Sequence, residues 1–225
     1  MPRVYFFRLL EKFLGVTELE FLRRCEQTSP WLMRRFCGFP WPDTLPDTPL
    51  LYQFDEVAQE HSLKIVQVAS FNAIETVERL RSESPDVIIG LGTRILKAHV
   101  LESARIGTLN AHSSLLPNYR GGSTEFWQLV EGETQTGVTI HWMAPKVDSG
   151  NIFLQKRWPI PNKTSHYQLR VQSLFYRLEL WREVIETLTA GEILRQPQEI
   201  SNTPTFRSPT FDQEYDFYCR GIRNL

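Results

Sequence analysis

Long apolar runs, paired cysteines and an excess of one charge are all missing from this sequence, and each absence excludes a class of protein. No apolar segment approaches the roughly 18 residues that a membrane-spanning helix requires, and Arg8 interrupts the apolar N-terminus, unlike in a signal peptide. The three cysteines, Cys25, Cys37 and Cys219, are odd in number and lack metal-ligand spacing, which argues against a disulfide framework or a zinc site. We therefore expect a cytoplasmic protein with no membrane segment and no metal.

The charge balance gives no support for a polyanionic partner. Lysine and arginine number 25 against 26 aspartate and glutamate residues, so the net charge is −1, and nothing indicates the broad basic surface typical of nucleic-acid binding. Hydrophobic residues make up 41% of the 225 positions, which is ordinary for one globular domain or for one domain with an extension. The composition thus predicts a globular protein whose partner is not a nucleic acid.

Proline divides the chain. Residues 39–50 contain four prolines, and because proline lacks the amide hydrogen and blocks helix formation, this stretch reads as a linker. Residues 3–38 before it have a helical pattern. We therefore predict a helical and proline-rich N-terminal extension over 1–50, a main domain over 51–200 and an irregular tail over 201–225.

Within the main domain, helical and β-type patterns alternate. Predicted strands cover 64–68, 87–89, 106–110, 138–142 and 152–158. Predicted helices cover 54–60, 96–101, 123–131 and 165–189, together with a helix that Asn72 and Glu75 open and Pro85 closes. The run 87–89 is wholly apolar, as expected of a buried parallel strand. Strands separated by helices imply an α/β fold with a mainly parallel sheet and helices on both faces.

Reactive side chains follow two of the predicted strands, where sites in α/β sheets usually form. Asn110 ends the strand 106–110, and its amide can donate a hydrogen bond to a carbonyl oxygen that gains negative charge. His112 lies two residues further on and can exchange a proton near neutral pH. Asp148 follows the strand 138–142 and can orient an imidazole, position a water or accept a proton. Together they suit transfer of an acyl or formyl group.

Each of these residues also has an ordinary structural interpretation. Asn110 can be a turn residue at a strand end, His112 a hydrogen-bonded loop histidine, and Asp148 part of a common turn. Ser113 and Ser114 beside His112 invite comparison with serine hydrolases, but no Gly-x-Ser-x-Gly turn is present. The attacking group would then belong to the substrate.

Two motifs carry a resemblance to a known family. The run Asn110-Ala111-His112-Ser113-Ser114-Leu115-Leu116-Pro117, followed by Tyr119-Arg120-Gly121, and the downstream runs Gly137-Val138-Thr139-Ile140-His141 and Val147-Asp148-Ser149-Gly150 resemble the signature of the folate-dependent formyltransferases. The family includes enzymes acting on glycinamide ribonucleotide, on methionyl-tRNA and on amino sugars. The resemblance covers roughly residues 55–190 and implies a formyltransferase-type, Rossmann-like sheet.

The resemblance also implies roles for individual residues. Asn110, His112 and Asp148 fall on the family's catalytic positions, with 10-formyltetrahydrofolate as the formyl donor and an amine as the acceptor. The segment around Arg94 and the loop 143–148 match those that enclose the donor's pterin ring. The expected donor-binding residues are Arg94, Ile95, Leu96, His141 and Val147. For His141 a structural role on its strand stays open, as does a plain core role for Ile95 and Leu96, and Arg120 can either orient its loop or touch an anionic substrate.

The sequence departs from the family at both ends. Members usually begin with a strand, a glycine-containing loop, a helix and a second strand, whereas this chain begins in predicted helix, so we expect the first βαβ unit to be missing through N-terminal shortening. The 34 or so residues after Gly191 leave no room for the basic barrel of methionyl-tRNA formyltransferase. We therefore expect a small amine acceptor, an amino sugar nucleotide or a ribonucleotide amine, rather than tRNA, and leave a homodimer open. The alternatives are a formyltetrahydrofolate hydrolase and a truncated, non-catalytic folate-binding paralogue.

Overall fold

Helices and strands alternate through the part of the chain that a computed structural model describes: residues 58–162, 164, 166–199, 205–210, 212–213 and 216–217. The elements in chain order are α1 (Ile74–Glu83), β1 (Val87–Gly90), α2 (Ala98–Leu101), β2 (Gly107–His112), α3 (Thr124–Val130), β3 (Gln135–Trp142), β4 (Ile152–Pro159) and α4 (His166–Thr189). All of them belong to one unit that spans Val68–Pro209. The helix predicted over 3–38 and the proline-rich linker over 39–50 lie outside the described residues.

The four strands form one sheet in the order β1-β2-β3-β4. β1 pairs with β2 in parallel, whereas β2 with β3 and β3 with β4 are antiparallel. The α/β class is confirmed, and the mainly parallel arrangement holds at the β1–β2 pair but is wrong for the other two pairs. A connection of fewer than ten residues joins β3 to β4, and so short a connection suits an antiparallel neighbour but not a parallel one.

Helices cover both faces of this sheet, as predicted. Leu109 on β2 shares an apolar cluster with Leu180 and Val184 of α4. The hydroxyl of Thr108, the preceding residue, donates to Leu101 O of α2 at 3.4 Å. Because successive side chains of a strand point to opposite faces, α4 and α2 lie on opposite sides. Asn110 and His112, which follow Thr108 at steps of two, therefore point away from the α4 core.

Three local predictions need correction. Residues 64–68 form no strand and have no strand partner in the described part of the chain, and Ile65 and Val66 are exposed, because β-branched residues favour a strand only where a neighbour pairs with them. Ile89 on β1 is 41% exposed, since β1 is an edge strand of the described sheet. Ala73, not Asn72, occupies the N-cap of α1, without a side-chain cap bond.

Asn72 instead braces a neighbouring loop. Its Nδ2 donates to Ile95 O at 3.0 Å, and its Oδ1 accepts from the backbone N–H of Lys97 at 2.7 Å. Of the helix predicted over 54–60, residues 58–60 are helical and 54–57 lie outside the described residues. The remaining predicted helices and strands lie within a few residues of their observed bounds. No helix in the described ranges has the length and apolar character that crossing a bilayer demands.

Two leucines on α4 provide a matched test of this core. Leu180 is 2% exposed and packs in the cluster against the sheet, whereas Leu178 is 55% exposed. We predict that Leu180→Ala lowers the free energy of unfolding by about 2–5 kcal/mol, through lost burial and the cavity left behind. Leu178→Ala should cost less than about 1 kcal/mol. Urea denaturation of both variants measures the difference, and equal losses would contradict the packing of α4 described above.

Candidate active site

Four polar side chains from three segments meet at the ends of β2 and β3. Asn110 and His112 come from β2, and His141 lies opposite Asn110 in the antiparallel register. Asp148, in the turn after β3, has Oδ2 3.5 Å from His112 Nδ1 and Oδ1 3.5 Å from His141 Nε2. The Asn110 amide Nδ2 lies 3.4 Å from His141 Nε2. The structure thus brings together the three predicted reactive residues and places His141 among them.

Backbone carbonyls assign the tautomers of both histidines. His112 Nε2 lies 2.7 Å from Tyr119 O, and His141 Nδ1 lies 3.0 Å from Trp142 O. A carbonyl oxygen only accepts, so each of these nitrogens carries the hydrogen. When the rings are neutral, the other nitrogens, which face Asp148, hold lone pairs. Three proton-accepting groups therefore converge around one small space.

The pKa values of His112 and Asp148 are both lowered, so neither group carries a proton near neutral pH. The His112 ring is buried, and burial lowers its pKa despite the neighbouring Asp148 carboxylate and the Tyr119 carbonyl. Burial by itself raises the pKa of Asp148. The hydrogen bond and charge of protonated His141, the charge of protonated His112 and the Gly121 backbone N–H outweigh burial, so the pKa of this carboxyl is lowered. Near neutral pH, Asp148 is thus ionised beside a neutral His112.

Asp148 has a strained backbone and a backbone donor. Its φ of 46° lies in the left-handed region, which costs a non-glycine residue free energy and occurs at sites where the surroundings enforce it. The Gly121 N–H donates to Asp148 Oδ2 at 2.8 Å. A Cβ on the nearby Gly150 would overlap the Trp142 carbonyl, so only glycine lets this turn approach the end of β3 so closely.

The loop 113–122 aligns the histidine and the aspartate from one side. Thr139, fully buried on β3, bonds to it twice: its hydroxyl donates to Ser114 O at 2.7 Å and accepts from Leu116 N at 3.1 Å. The Tyr119 hydroxyl lies 2.6 Å from Glu131 Oε2 and 2.7 Å from Glu133 Oε1. Burial and these carboxylates raise the pKa of Tyr119 well above its ordinary range. Hydrogen bonds therefore hold the loop both to β3 and to the residues that follow α3.

Residues 205–207, which the sequence did not mark as functional, bind the same loop; we call this contact the clasp. Phe206 N donates to Arg120 O at 2.7 Å, Gly122 N donates to Phe206 O at 3.0 Å, and the Phe206 ring stacks on Tyr119 with centroids 5.2 Å apart. Trp127 of α3 donates its indole N–H to the next backbone carbonyl, Arg207 O, at 2.8 Å. Residues 205–207 belong to the predicted irregular tail, and no local pattern in the sequence indicates this contact.

Arg120 acts within the loop. It is buried, and its Nη1 lies 3.5 Å from Val147 O, next to Asp148. This position favours the first of its two predicted roles, orientation of the loop, over direct contact with an anionic substrate.

A cavity of about 520 Å³ opens beside these groups. All five predicted donor-binding residues line it: Arg94, Ile95, Leu96, His141 and Val147. Their positions differ, since Ile95 is 71% exposed whereas Leu96 is buried in a cluster with Val77 and Val100. His141 contacts the reactive groups rather than the outer wall. No group of histidine, cysteine, aspartate and glutamate side chains suited to a metal ion occurs among the residues described.

The cavity is also lined by residues that no sequence motif indicates. His166, Arg170 and Arg177 of α4 and Glu125 of α3 line it together with the reactive groups. The first three lie at spacings of four and seven residues, so they share one face of a helix. That spacing was readable in the predicted helix 165–189, but nothing local indicated that this face reaches the site.

Comparison with known proteins places the site in a family context. The family model described as formyl transferase matches residues 40–179. Methionyl-tRNA formyltransferase of Enterococcus faecalis is 34% identical over 167 residues, covering 72% of this chain and 51% of that protein. The same enzyme of Thermotoga maritima is 39% identical over 146 residues, covering 64% of this chain and 47% of that protein. The chain therefore spans about half the length of these curated relatives.

Solved structures share the fold at lower identity. Glycinamide ribonucleotide transformylase 1 from Symbiobacterium toebii matches with a TM-score of 0.56 and 23% identity, covering 65% of this chain and 74% of that one. The N-formyltransferase from Helicobacter canadensis, solved with folinic acid and dTDP-3-aminofucose, matches with a TM-score of 0.58 and 20% identity, covering 80% and 68%. These likenesses confirm the predicted formyltransferase-type fold.

The buried His112 should make stability depend on pH. Its pKa is lowered below the ordinary 6.5, so the unfolded chain binds a proton that the folded chain does not, and stability falls as pH drops below about 6.5. We predict that His112→Gln, which keeps a donor for Tyr119 O, reduces this slope of unfolding free energy by up to about 1.4 kcal/mol per pH unit. Urea titrations between about pH 5 and 7 measure it. The exposed His61→Gln serves as control, and an unchanged slope in His112→Gln would contradict the assignment.

Gly121 should tolerate no side chain, because a Cβ there would overlap Phe206 O and its φ is +105°. We predict that Gly121→Ala costs about 1–3 kcal/mol of unfolding free energy through backbone strain and displacement of the clasp. Gly132 also has positive φ, at +72°, but a Cβ added there would meet nothing within 4 Å, so Gly132→Ala reports the conformational cost alone, about 1 kcal/mol. Equal losses in the two variants, measured by denaturant unfolding, would show that the clasp is not essential.

Proposed function

The chain belongs to the formyl transferase family, whose model matches more than half of its length, and we propose that it transfers a formyl group from 10-formyltetrahydrofolate to an amine. The proposal rests chiefly on one observation, the convergence of Asp148 with the lone-pair nitrogens of His112 and His141 beside the Asn110 amide. An amine that takes up a formyl group must lose a proton, and this centre can accept one.

The proposed reaction is balanced without a nucleophile from the protein. The formyl carbon leaves the donor nitrogen and bonds to the amine nitrogen, while one proton passes from the amine to the donor nitrogen. Asp148 and its two histidine neighbours hold that proton between the two events. The second hydrogen of Asn110 Nδ2 is available to the formyl oxygen as that oxygen gains negative charge. Because His112 Nε2–H is engaged by Tyr119 O, His112 donates to the substrate from Nδ1 only when it is protonated.

The cavity suits a folate as donor. Its volume of about 520 Å³ falls in the usual range for sites that hold ligands of this size. One wall consists of the loop 92–96 and the segment 143–147, which we propose to enclose the pterin through Arg94, Ile95, Leu96 and Val147. Asn72 braces the first of these loops through Ile95 and Lys97. The relative from Helicobacter canadensis was solved with folinic acid, which supports a folate-type donor here.

The acceptor we propose is a small, phosphate-bearing amine, either an amino sugar nucleotide or a ribonucleotide amine. Both classes occur among the solved relatives, in the names glycinamide ribonucleotide transformylase and N-formyltransferase with dTDP-3-aminofucose. Methionyl-tRNA is the second candidate, favoured by the 34% and 39% identity to methionyl-tRNA formyltransferases. All three acceptors carry phosphate. With water as the acceptor, the same residues would make the chain a hydrolase.

Release of tetrahydrofolate from 10-formyltetrahydrofolate by the full chain tests this function. The spectroscopic assay is run with no amine, dTDP-3-aminofucose, glycinamide ribonucleotide or methionyl-tRNA. We predict release that requires an amine and falls by about 10²–10⁴-fold in His112→Gln and Asp148→Asn, because proton transfer is lost. Exposed His61→Gln should retain the wild-type rate.

Each arm has its own contrary result. Equal release with and without amines would make the chain a hydrolase, and a rate that only methionyl-tRNA raises would exclude the small acceptors. Wild-type rates in both His112→Gln and Asp148→Asn would remove the proposed centre altogether. Binding of 5-formyltetrahydrofolate without any turnover would identify the chain as a non-catalytic folate-binding protein.

A further inference from the structure

One face of α4 presents basic side chains to the cavity. His166, Arg170 and Arg177 follow one another at spacings of four and seven residues, and all three line the cavity. Such spacing places side chains in one row along a helix. Leu180 and Val184, which pack on the sheet, belong to the apolar contact of the same helix. α4 therefore joins a core contact with a basic face in a single rigid element.

The basic face has more positive charge than its surroundings balance. Glu125, 7% exposed, is the acidic cavity-lining residue next to it. Two guanidinium groups, which stay protonated in proteins, face this one carboxylate. The ion pairs found within the described ranges involve neither Glu125, Arg170 nor Arg177. At least one positive charge on this face thus lacks a counter-charge in the described part of the protein.

Arg177 also has an unsatisfied donor. Its Nε is buried and makes no hydrogen bond within the described residues, and burial lowers the pKa of its guanidinium, with Arg170 acting in the same direction and Glu125 opposing it. A buried donor without a partner costs free energy unless a ligand supplies the acceptor. Arg170 is exposed, Arg177 is half-buried, and both line the same cavity, so a molecule bound there can reach both side chains.

The basic face is connected to the reactive centre. Ser113 is the residue after His112. Its backbone carbonyl accepts hydrogen bonds from the Thr124 hydroxyl at 2.9 Å and from Gln128 Nε2 at 3.0 Å, both on α3. Glu125 follows Thr124 on α3, and the ring of Phe126 meets that of His166 with centroids 5.8 Å apart. α3 thus bridges the basic face of α4 to the strand that carries His112.

The wall assigned to the pterin belongs to other elements. Leu96 and Met143 share an apolar cluster with residues of α1 and α2, not with α4. A ligand that fills the pterin wall and another that reaches the basic face can therefore meet at Asp148 from different elements of the cavity. This arrangement is the one that a two-substrate reaction needs.

We propose that Arg170 and Arg177 form a phosphate subsite for the acceptor, with His166 beside them. The identity of the ligand as the acceptor rests on the proposed function, in which each candidate acceptor carries phosphate. Guanidinium groups suit phosphate because their planar fork of N–H donors matches two of its oxygens. The subsite holds the phosphate end while the amine lies at Asp148, so it positions the acceptor rather than taking part in proton transfer.

Binding of inorganic phosphate to the full chain tests the subsite without requiring activity. Chemical-shift or calorimetric titration with phosphate is compared with sodium chloride of equal ionic strength. We expect the double variant Arg170→Gln/Arg177→Gln to bind phosphate about tenfold to a hundredfold more weakly than wild type, because charge-assisted hydrogen bonds are lost. Arg182→Gln, an exposed arginine of the same helix outside the cavity lining, should bind like wild type. Equal phosphate affinity in wild type and the double variant overturns the proposal.

A second measurement distinguishes the acceptor from the donor as the source of the anion. 5-Formyltetrahydrofolate and its analogue lacking the glutamate tail are titrated into wild type and the double variant. We expect unchanged affinity for both, which also shows that the variant is folded. An affinity loss confined to the compound with the glutamate tail assigns the arginines to the donor's carboxylates and overturns the proposal. If the double variant fails to fold, Arg177→Gln alone is compared with Arg182→Gln in the same titrations.

Turnover separates this inference from the proposed function. In an active chain, the double variant should raise KM for the phosphate-bearing acceptor at least about tenfold while kcat changes little, as expected for a positioning role. If the double variant binds phosphate more weakly but the wild type releases no tetrahydrofolate, the subsite is supported and the proposed function is contradicted. If the wild type releases tetrahydrofolate and the double variant has the same KM for the acceptor, the proposed function is supported and the subsite is contradicted.

Discussion

The antiparallel register between β2 and β3 is the constraint on which the rest of the site depends. It sets Asn110 against His141 and Ala111 against Ile140. Because side chains alternate along both strands, the polar pair faces the cavity and the apolar pair faces the core on α4. A shift of one residue in either strand would bury its polar groups in that core and expose its apolar ones. The burial of Leu109, Ile140 and Trp142 therefore specifies the register, and with it the geometry of the reactive groups.

Backbone atoms, more than side chains, hold the reactive groups in place. Tyr119 O assigns the tautomer of His112, Trp142 O assigns that of His141, and the Gly121 N–H binds Asp148. Two of these three backbone groups belong to the loop 113–122, so the protonation pattern of the centre depends on the path of that loop. This dependence explains why the loop is tied to buried Thr139, to two glutamates through Tyr119 and to residues 205–207.

The cavity combines surfaces of different chemical character around one centre. One wall consists of the segments 92–96 and 143–147, which contain no acidic residue and pack with α1 and α2. The basic face of α4 lines the same cavity. The ionised Asp148 lies among them next to a neutral, buried His112. The proposed transfer of a formyl group between two nitrogens places negative charge on the formyl oxygen, which the Asn110 amide can stabilise. The same transfer requires a proton acceptor, and an anchor where the acceptor carries a charged group.

By itself, the sequence determined the α/β class, most helices and strands, and the grouping of Asn110, His112 and Asp148, because periodicity and contiguous motifs are local properties. It could not show that residues 64–68 lack a strand partner in the described part of the chain, that two strand pairs are antiparallel, or that Asn72 braces a loop instead of capping α1. Nor did any local pattern reveal that Phe206 clasps the loop beside Asp148 or that Arg170 and Arg177 reach the cavity. Those features join residues far apart in the chain, and only the packing of helices against the sheet decides which of them meet.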